Sequence, residues 1–393
     1  MTRLRHLVDQ IATVGSDGPL PFVALEHLES GTGGFAADAV IEDKESDPAG
    51  MVQFSSGDVM FGKLRPYLRK SWLADRSGLC SSELIVMRPR PGKADSRWLA
   101  YAVQTQPFVD WAVASSEGVK MPRTSWEKLG LYELHPPPVV GQRAIADYLD
   151  AEAARIDKMI DALGRRANLL DMRKRAAVST ALGSVATATV AVRRVVDLVT
   201  SGPRGWSDLV VDSGTRLFLR IANVPRDSIS LRLADVAYIE PPLAAEADRC
   251  RVRPGDVLTT ITAAIGQVAV VPAGLGEAYV SQHLALIRPA PSRVVPEWLA
   301  LALWTDDAQR QLDAARYGGT KQQLALDDVR DIRIPWAPLS QQRNAVGPVL
   351  RDLETLTEAW IRTRREMDLL QVRREAVVTA AVTGQIEIPG VAA

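Results

Sequence analysis

The chain has 393 residues, 47% of them hydrophobic and 24% charged, with 47 Lys/Arg balanced by 47 Asp/Glu. That length suggests two to three domains with real cores and excludes a disordered chain. Zero formal net charge excludes a protein that grips nucleic acid by bulk charge alone, so any such contact must come from local patches or from a partner.

The opening stretch MTRLRHLVDQIATVGSDG lacks the apolar run of a signal peptide. No segment approaches the roughly 18–20 apolar residues of a membrane span. Cys80 and Cys250 lie in different halves, without a CxxC or a Cys/His cluster at metal spacing. A reduced, soluble, cytoplasmic protein without metal or membrane is expected.

Residues 1–50 hold 3 Lys/Arg against 9 Asp/Glu, whereas residues 51–130 hold 12 against 7. Short apolar runs such as PFVALEHL come first. GDVMFGKLRPYLRKSWL then starts a strand at Gly57 and carries Lys63, Arg65, Arg69 and Lys70 interleaved with Tyr67 and Trp72. Basic side chains beside aromatics suit phosphate neutralisation and base contact; a strand edge guarded by charge has the same composition. ELIVMRP reads as a buried strand and WLAYAVQTQPFVDWAV as a helix. SEGVKMPRTSW is a glycine loop bearing Lys120 and Arg123. These short strands and helices between turn signals give an α+β domain.

Pro136, Pro137 and Pro138 stop what precedes and launch a long helix. Leu149, Ala153, Ile156, Ile160, Leu163, Ala167, Leu170, Lys174 and Ala177 recur at alternating spacings of four and three, the seam of a coiled coil. From about Gly141 to Leu182 the helix would be a rod of roughly 60 Å.

After this helix the chain repeats itself. At an offset of 200, Arg288-Pro289 falls on Arg88-Pro89, Trp298-Leu299-Ala300 on Trp98-Leu99-Ala100, and Gln342-Arg343 on Gln142-Arg143; Gly255-Asp256-Val257 falls on Gly57-Asp58-Val59 at 198. The second GDV segment, GDVLTTITAAIGQVAVV, has no basic cluster and a single amide, Gln267. The second glycine loop, YGGTKQQLAL, offers Thr320, Lys321, Gln322 and Gln323. Lysine reaches guanine acceptors or phosphate, and glutamine pairs bidentately with adenine; the same loop could instead only connect helix to strand. The second long helix repeats the seam with Val349, Leu353, Leu356, Trp360, Thr363, Met367, Leu370, Arg374 and Val377. Lys174 and Arg374 interrupt both seams at one place, and Pro348 predicts a helix start or a kink.

The expected architecture is two similar globular domains, 1–138 and 185–337, separated by two long helices, 139–184 and 338–386, with a tail 387–393. Two narrow stripes of equal register most simply bury each other, giving an antiparallel coiled coil and a pseudo-twofold internal repeat. An amphipathic helix packed only on its own domain is the competing arrangement.

The chain lacks a P-loop and a dinucleotide-binding glycine motif. His6, His27, His135 and His283 are scattered, and no catalytic set or metal cluster assembles. Asp58, Glu83 and Asp256 are the carboxylates a dispersed nuclease site would use, and a protein-only coiled-coil scaffold is a third reading.

In this order and twice over, GDVMFGKLRPYLRK with GLCSSELIVMRP, GDVLTTITAAIGQVAVV with GGTKQQLALDDVRDIRIPWAPLSQQR, the helix RAIADYLDAEAARIDKMIDAL and the ending LLQVRREAVVTAAVTGQIEI resemble the specificity subunit of Type I restriction–modification systems. Gly141-Gln142 and Gln341-Gln342 depart from the Glu-Gln pair frequent in that family, and the first helix ends in ALGSVAT. The resemblance implies a non-catalytic subunit whose two target recognition domains read the halves of a split site in double-stranded DNA, held apart by the coiled coil. It implies methyltransferase (modification) subunits and restriction (translocase) subunits as partners, with S-adenosylmethionine, ATP and magnesium belonging to them.

Zero net charge leads to one expectation. DNA binding by this chain alone should be weak and salt-sensitive; filter binding showing tight specific binding at physiological salt without partners would contradict it.

Overall fold

The computed structural model describes residues 1–12, 18–45, 47, 50–242, 245–318, 322–389 and 391. Two compact units divide the chain, one made of Met1–Ala162 with Glu366–Ala393 and the other of Leu163–Arg365. Each unit thus joins one globular part to a portion of both long helices, Val139–Val185 and Leu339–Val382.

At the centre of the first unit is a four-stranded antiparallel sheet, in the order Val8–Ile11, Leu84–Pro89, Val59–Gly62 and Ser71–Leu73. The second unit repeats it with Val196–Ser201, Leu284–Pro289, Val257–Thr260 and Val268–Val270. Successive strand side chains point to opposite faces, and here both faces are covered. Ile85 and Met87 enter one core with Trp98, while Leu84 and Val86 enter another with Phe54 and Trp72. In the second unit Ala285 and Ile287 face Trp298, and Leu284 and Leu286 face Phe218. Hence ELIVMRP and HLALIRP read as continuous apolar runs rather than alternations.

The outer core of each unit rests on a second sheet, and here the copies diverge. The first runs Asp43–Lys44, Leu20–Val23, Gly78–Ser81, Met51–Phe54; the second runs Val210–Val211, Ala237–Ile239, Leu217–Leu219, Ala278–Val280. One parallel pairing is kept, Phe22 opposite Leu79 and Phe218 opposite Tyr279.

The inner core takes in the long helices. Ile145, Ala146 and Leu149 join Val378, Ala381 and Val382 in the first unit, and Val178 and Leu182 join Val346, Val349 and Leu353 in the second. Within each unit the helices run antiparallel and touch. Asp157 lies 3.6 Å from Arg374, and the Lys174 ammonium sits 5.2 Å from the Trp360 ring centroid. Leu149, Ile156 and Leu353 are buried, and Ile160, Leu163, Leu170, Leu356, Trp360, Met367 and Leu370 are partly buried, whereas Leu169, Met172, Leu369 and Val372 beside them are exposed. Pro348 lies inside the second helix, which begins nine residues earlier at Leu339, so the proline starts no helix.

Two repeated polar devices explain why the duplicated motifs persist. Gly57 and Gly255 take positive φ, 88° and 83°, turning the chain so that the next residue points inward. There Asp58 receives the Arg88 guanidinium at 2.8 and 2.7 Å, and Asp256 receives Arg288 at 2.9 and 2.8 Å. The second device is an amide. Gln142, buried in the first turn of its helix, accepts the Asp95 N–H at 2.8 Å and donates to the Lys93 and Pro137 carbonyls. Gln342 accepts from Val295 at 2.8 Å and donates to Arg293 and Ala337. One side chain satisfies three backbone groups and fixes the helix start to its own domain.

Arg288 is 15% exposed and Arg88 44%, so the two ion pairs should differ in worth. Asp256→Ala strands a buried guanidinium and is expected to cost about 3–5 kcal/mol; Asp58→Ala, whose partner can rehydrate, should cost clearly less. Urea unfolding of the two variants measures the difference.

Candidate nucleic-acid interface

The sequence candidates come together by backbone pairing. In the first unit Glu117 and Arg123 exchange two hydrogen bonds of 2.9 Å, closing the glycine loop as a hairpin. That hairpin is stitched to the segment leaving the strand Val59–Gly62: the Arg65 N–H donates to the Pro122 carbonyl at 2.7 Å, and Thr124 to Lys63 at 3.0 Å. In the second unit Tyr317 and Gln323 close the equivalent loop at 3.1 and 3.0 Å, and Leu324 donates to Ile261 at 2.9 Å. The basic cluster and the glycine loop, separate in sequence, therefore form one surface in the first unit. Gln267's loop and Gln323 adjoin in the same way in the second.

Backbone strain marks the same spot twice. Only three described non-glycine residues take positive φ: Arg65 at 50°, Arg69 at 51° and Ala263 at 56°. Arg65 and Ala263 are equivalent at the offset of 198 that relates Asp58 to Asp256. A left-handed residue other than Gly or Asn is unfavourable and persists where surrounding structure imposes it. In the second unit that structure includes Gln309, which donates to the Gly266 carbonyl at 2.9 Å.

The structure sorts the basic residues by availability. Arg69 is 2.8 Å from Glu375 and donates to Gln106, with its side chain 15% exposed. Lys70 donates to the Leu25 carbonyl at 3.0 Å. Lys63 donates to the Ser82 carbonyl at 2.5 Å, and burial, then the neighbouring Arg123, holds its pKa below the ordinary lysine value. Arg123 pairs with Glu83. These four brace the loops. Arg65 and Lys120 are exposed, with no side-chain partner among the described residues, and Tyr67 is exposed beside them. In the second unit Gln322 and Gln323 are exposed and Gln267 is half-buried; Thr320 and Lys321 lie outside the described residues.

Two residues at the site were not legible as such. Glu83 and His283 fall at one repeat position, and each carbonyl accepts the N–H of the residue that starts the loop, Lys63 at 2.8 Å and Ile261 at 3.0 Å. Glu83 then braces Arg123, while His283 Nδ1 meets the Thr262 hydroxyl at 2.9 Å. The offset of 200 was the available signal. The nuclease carboxylates are otherwise engaged: Asp58 and Asp256 by arginine, Glu83 by Arg123. Among the described residues no group of three or more His, Cys, Asp or Glu could hold a metal, and no helix is long and apolar enough to cross a membrane. Burial pushes the Cys80 thiol up to about 12, so it is a packed thiol and not a nucleophile.

No protein-family model matches the chain. Over 173 residues it is 30% identical to the Type I restriction enzyme EcoDI specificity subunit of Escherichia coli; the match takes in 41% of this chain and only 38% of that protein's length. Among solved structures, a chain from the structure describing complex assembly and conformational transition of the type I R-M system is 18% identical, with 98% of this chain and 97% of that one covered at a TM-score of 0.74. The two therefore share one fold from end to end. The HsdS subunit from Thermoanaerobacter tengcongensis, also 18% identical, is covered to 96% against 98% of this chain at a TM-score of 0.48. The resemblance drawn from the motifs is thus matched in sequence over 173 residues of the chain.

The sorting of the basic residues makes a distinction that DNA titrations can test. Alanine at Arg65 or Lys120 should weaken duplex binding and each lower the salt slope by about one. Alanine at Arg69 should lower stability and leave the slope unchanged. Binding isotherms at several salt concentrations separate the two behaviours.

Proposed function

We propose that this chain is the DNA sequence-specificity subunit of a Type I restriction–modification complex, without catalytic chemistry of its own. One observation carries the reading: the same strained loop and hairpin occur twice, with Arg65, Tyr67 and Lys120 on one and Ala263, His283, Gln322 and Gln323 on the other. A scaffold repeated with its side chains changed suits the reading of two different half-sites. Phosphate contacts by Arg65 and Lys120 would position one reader, and amide contacts by Gln322 and Gln323 would read adenine in the other half.

The two long helices, each continuous through both units, set the separation of the half-sites in this proposal. Their exposed apolar residues, Leu169 and Met172 on one helix and Leu369 and Val372 on the other, sit at repeat-related positions and support docking of two copies of a methyltransferase subunit. Restriction subunits would join that assembly. S-adenosylmethionine, ATP and magnesium would be bound by those partners, in the cytoplasm where the DNA is.

Removing one heptad from each helix keeps the seam in register and shortens each rod by about 10 Å, close to three base pairs of duplex at about 3.4 Å each. Methylation-aware sequencing of a host carrying the complex should then show both half-site sequences intact and a shorter spacer. An unchanged spacer would rule out the helices as the ruler. Replacing residues 1–138 with another reader should change one half-site and leave the other.

A further inference from the structure

The first hairpin carries a feature that phosphate and hydrogen-bond reading leave unused. Val119 is fully exposed and Met121 is 56% exposed, on either side of exposed Lys120. Gly118 turns the chain at φ 91°, and a Cβ there would stand 3.3 Å from the Met121 carbonyl oxygen. The apolar tip stands on a braced base. Glu117 and Arg123 close it, Arg65 and Pro122 tie it to the neighbouring loop, and Lys128 holds the Glu117 carboxylate at 2.5 Å. With Glu83 held by Arg123, both carboxylates of the hairpin's base are neutralised within the fold, while Arg65 and Lys120 stay free for an anion.

From this juxtaposition of an apolar tip on a braced base and unpaired cations we infer that Val119 and Met121 form a wedge. It enters a base step of the half-site read by residues 1–138, while Lys120 and Arg65 hold the flanking phosphates. The inference rests on the proposed reading of duplex DNA. Apolar side chains inserted at a base step partly unstack it, and the lost stacking is offset by the apolar surface that the wedge buries against the bases. A hairpin already ordered loses little freedom on insertion. The second copy has no equivalent pair: at the repeat offset, Val119 and Met121 fall on Gly319 and Lys321 in the sequence. Distortion should therefore be confined to one half-site.

The test uses the full chain assembled with its modification subunits and the site mapped by methylation sequencing, with 2-aminopurine placed at each position in turn. Apart from the adenine that the modification subunits would extrude in each half, the expected result is a several-fold fluorescence rise at one step of the first half-site and none in the second. Val119→Gly with Met121→Lys, the residues of the second copy, should abolish the rise and weaken binding roughly tenfold. The methylated sequence should stay the same. Val119→Ile with Met121→Leu should retain the rise, which separates a wedge from a general disturbance of the loop. The absence of any fluorescent step other than the methylated adenines overturns the wedge. So does a loss of affinity reproduced by replacing thymine with uracil, which would mean methyl contact without unstacking. Loss of modification-subunit assembly in the Gly/Lys variant, with unstacking intact, would reassign the tip to a protein contact. Failure to find any bipartite methylated site would overturn the wedge together with the function it rests on.

Discussion

Each long helix carries an apolar stripe too narrow to bury itself and too long for one small domain to cover. The constraint is met within each unit by a domain core at the helix end and by the antiparallel partner helix beyond it. As a result the first unit is assembled from two separate stretches of sequence, whereas the second is the single segment Leu163–Arg365. The inner core of the first unit is closed by Val378, Ala381, Val382 and Ile388, residues from the far end of the chain. Contacts of such sequence separation are costly to form early in folding, and the compact, locally closed central sheets are the parts that can form without them.

Polar groups inside the seam follow the same logic. Lys174 has no exposed surface, and its ammonium is 3.3 Å from Asp171 and over the Trp360 ring. Its counterpart at the repeat offset, Arg374, meets Asp157 instead. A buried charge contributes little net stability but penalises every register in which its partners are absent. The buried Lys174 therefore bears on the alignment of the helices more than on their affinity, whereas Arg374 is partly exposed. The buried amides Gln142 and Gln342 act similarly at the helix starts, where each ties one helix to one domain through backbone groups that few other side chains could satisfy together.

The candidate interface shows how a duplicated scaffold acquires two surfaces. The constant elements are backbone features: a Gly-Asp turn, a left-handed residue eight positions after the glycine, and a hairpin closed by two hydrogen bonds. The variable elements are side chains set on those features. A carboxylate brace at Glu83 becomes an imidazole at His283, and an arginine at 65 becomes an alanine at 263. Because the strain is carried by the frame, the residues at its tips change without dismantling it.

The sequence by itself determined the duplication, the α+β character of each globular part, the seam of both long helices and the resemblance to specificity subunits. These are legible because periodicity and repeated motifs are local properties of the chain. It also drew an outline within each unit, since the basic cluster adjoins the first glycine loop in one and the Gln267 segment adjoins the second glycine loop in the other. Tertiary structure alone decided which members of that outline are available. Arg65 and Arg69 are neighbours of the same type in the sequence, yet one is free and the other is spent on Glu375, more than 300 positions away. It also decided that Pro348 is carried inside a helix, and that Asp58 and Asp256 are each held by an arginine. In each case the deciding partner is remote in sequence, and a side chain's charge is fixed by its identity while its availability is fixed by what folds against it.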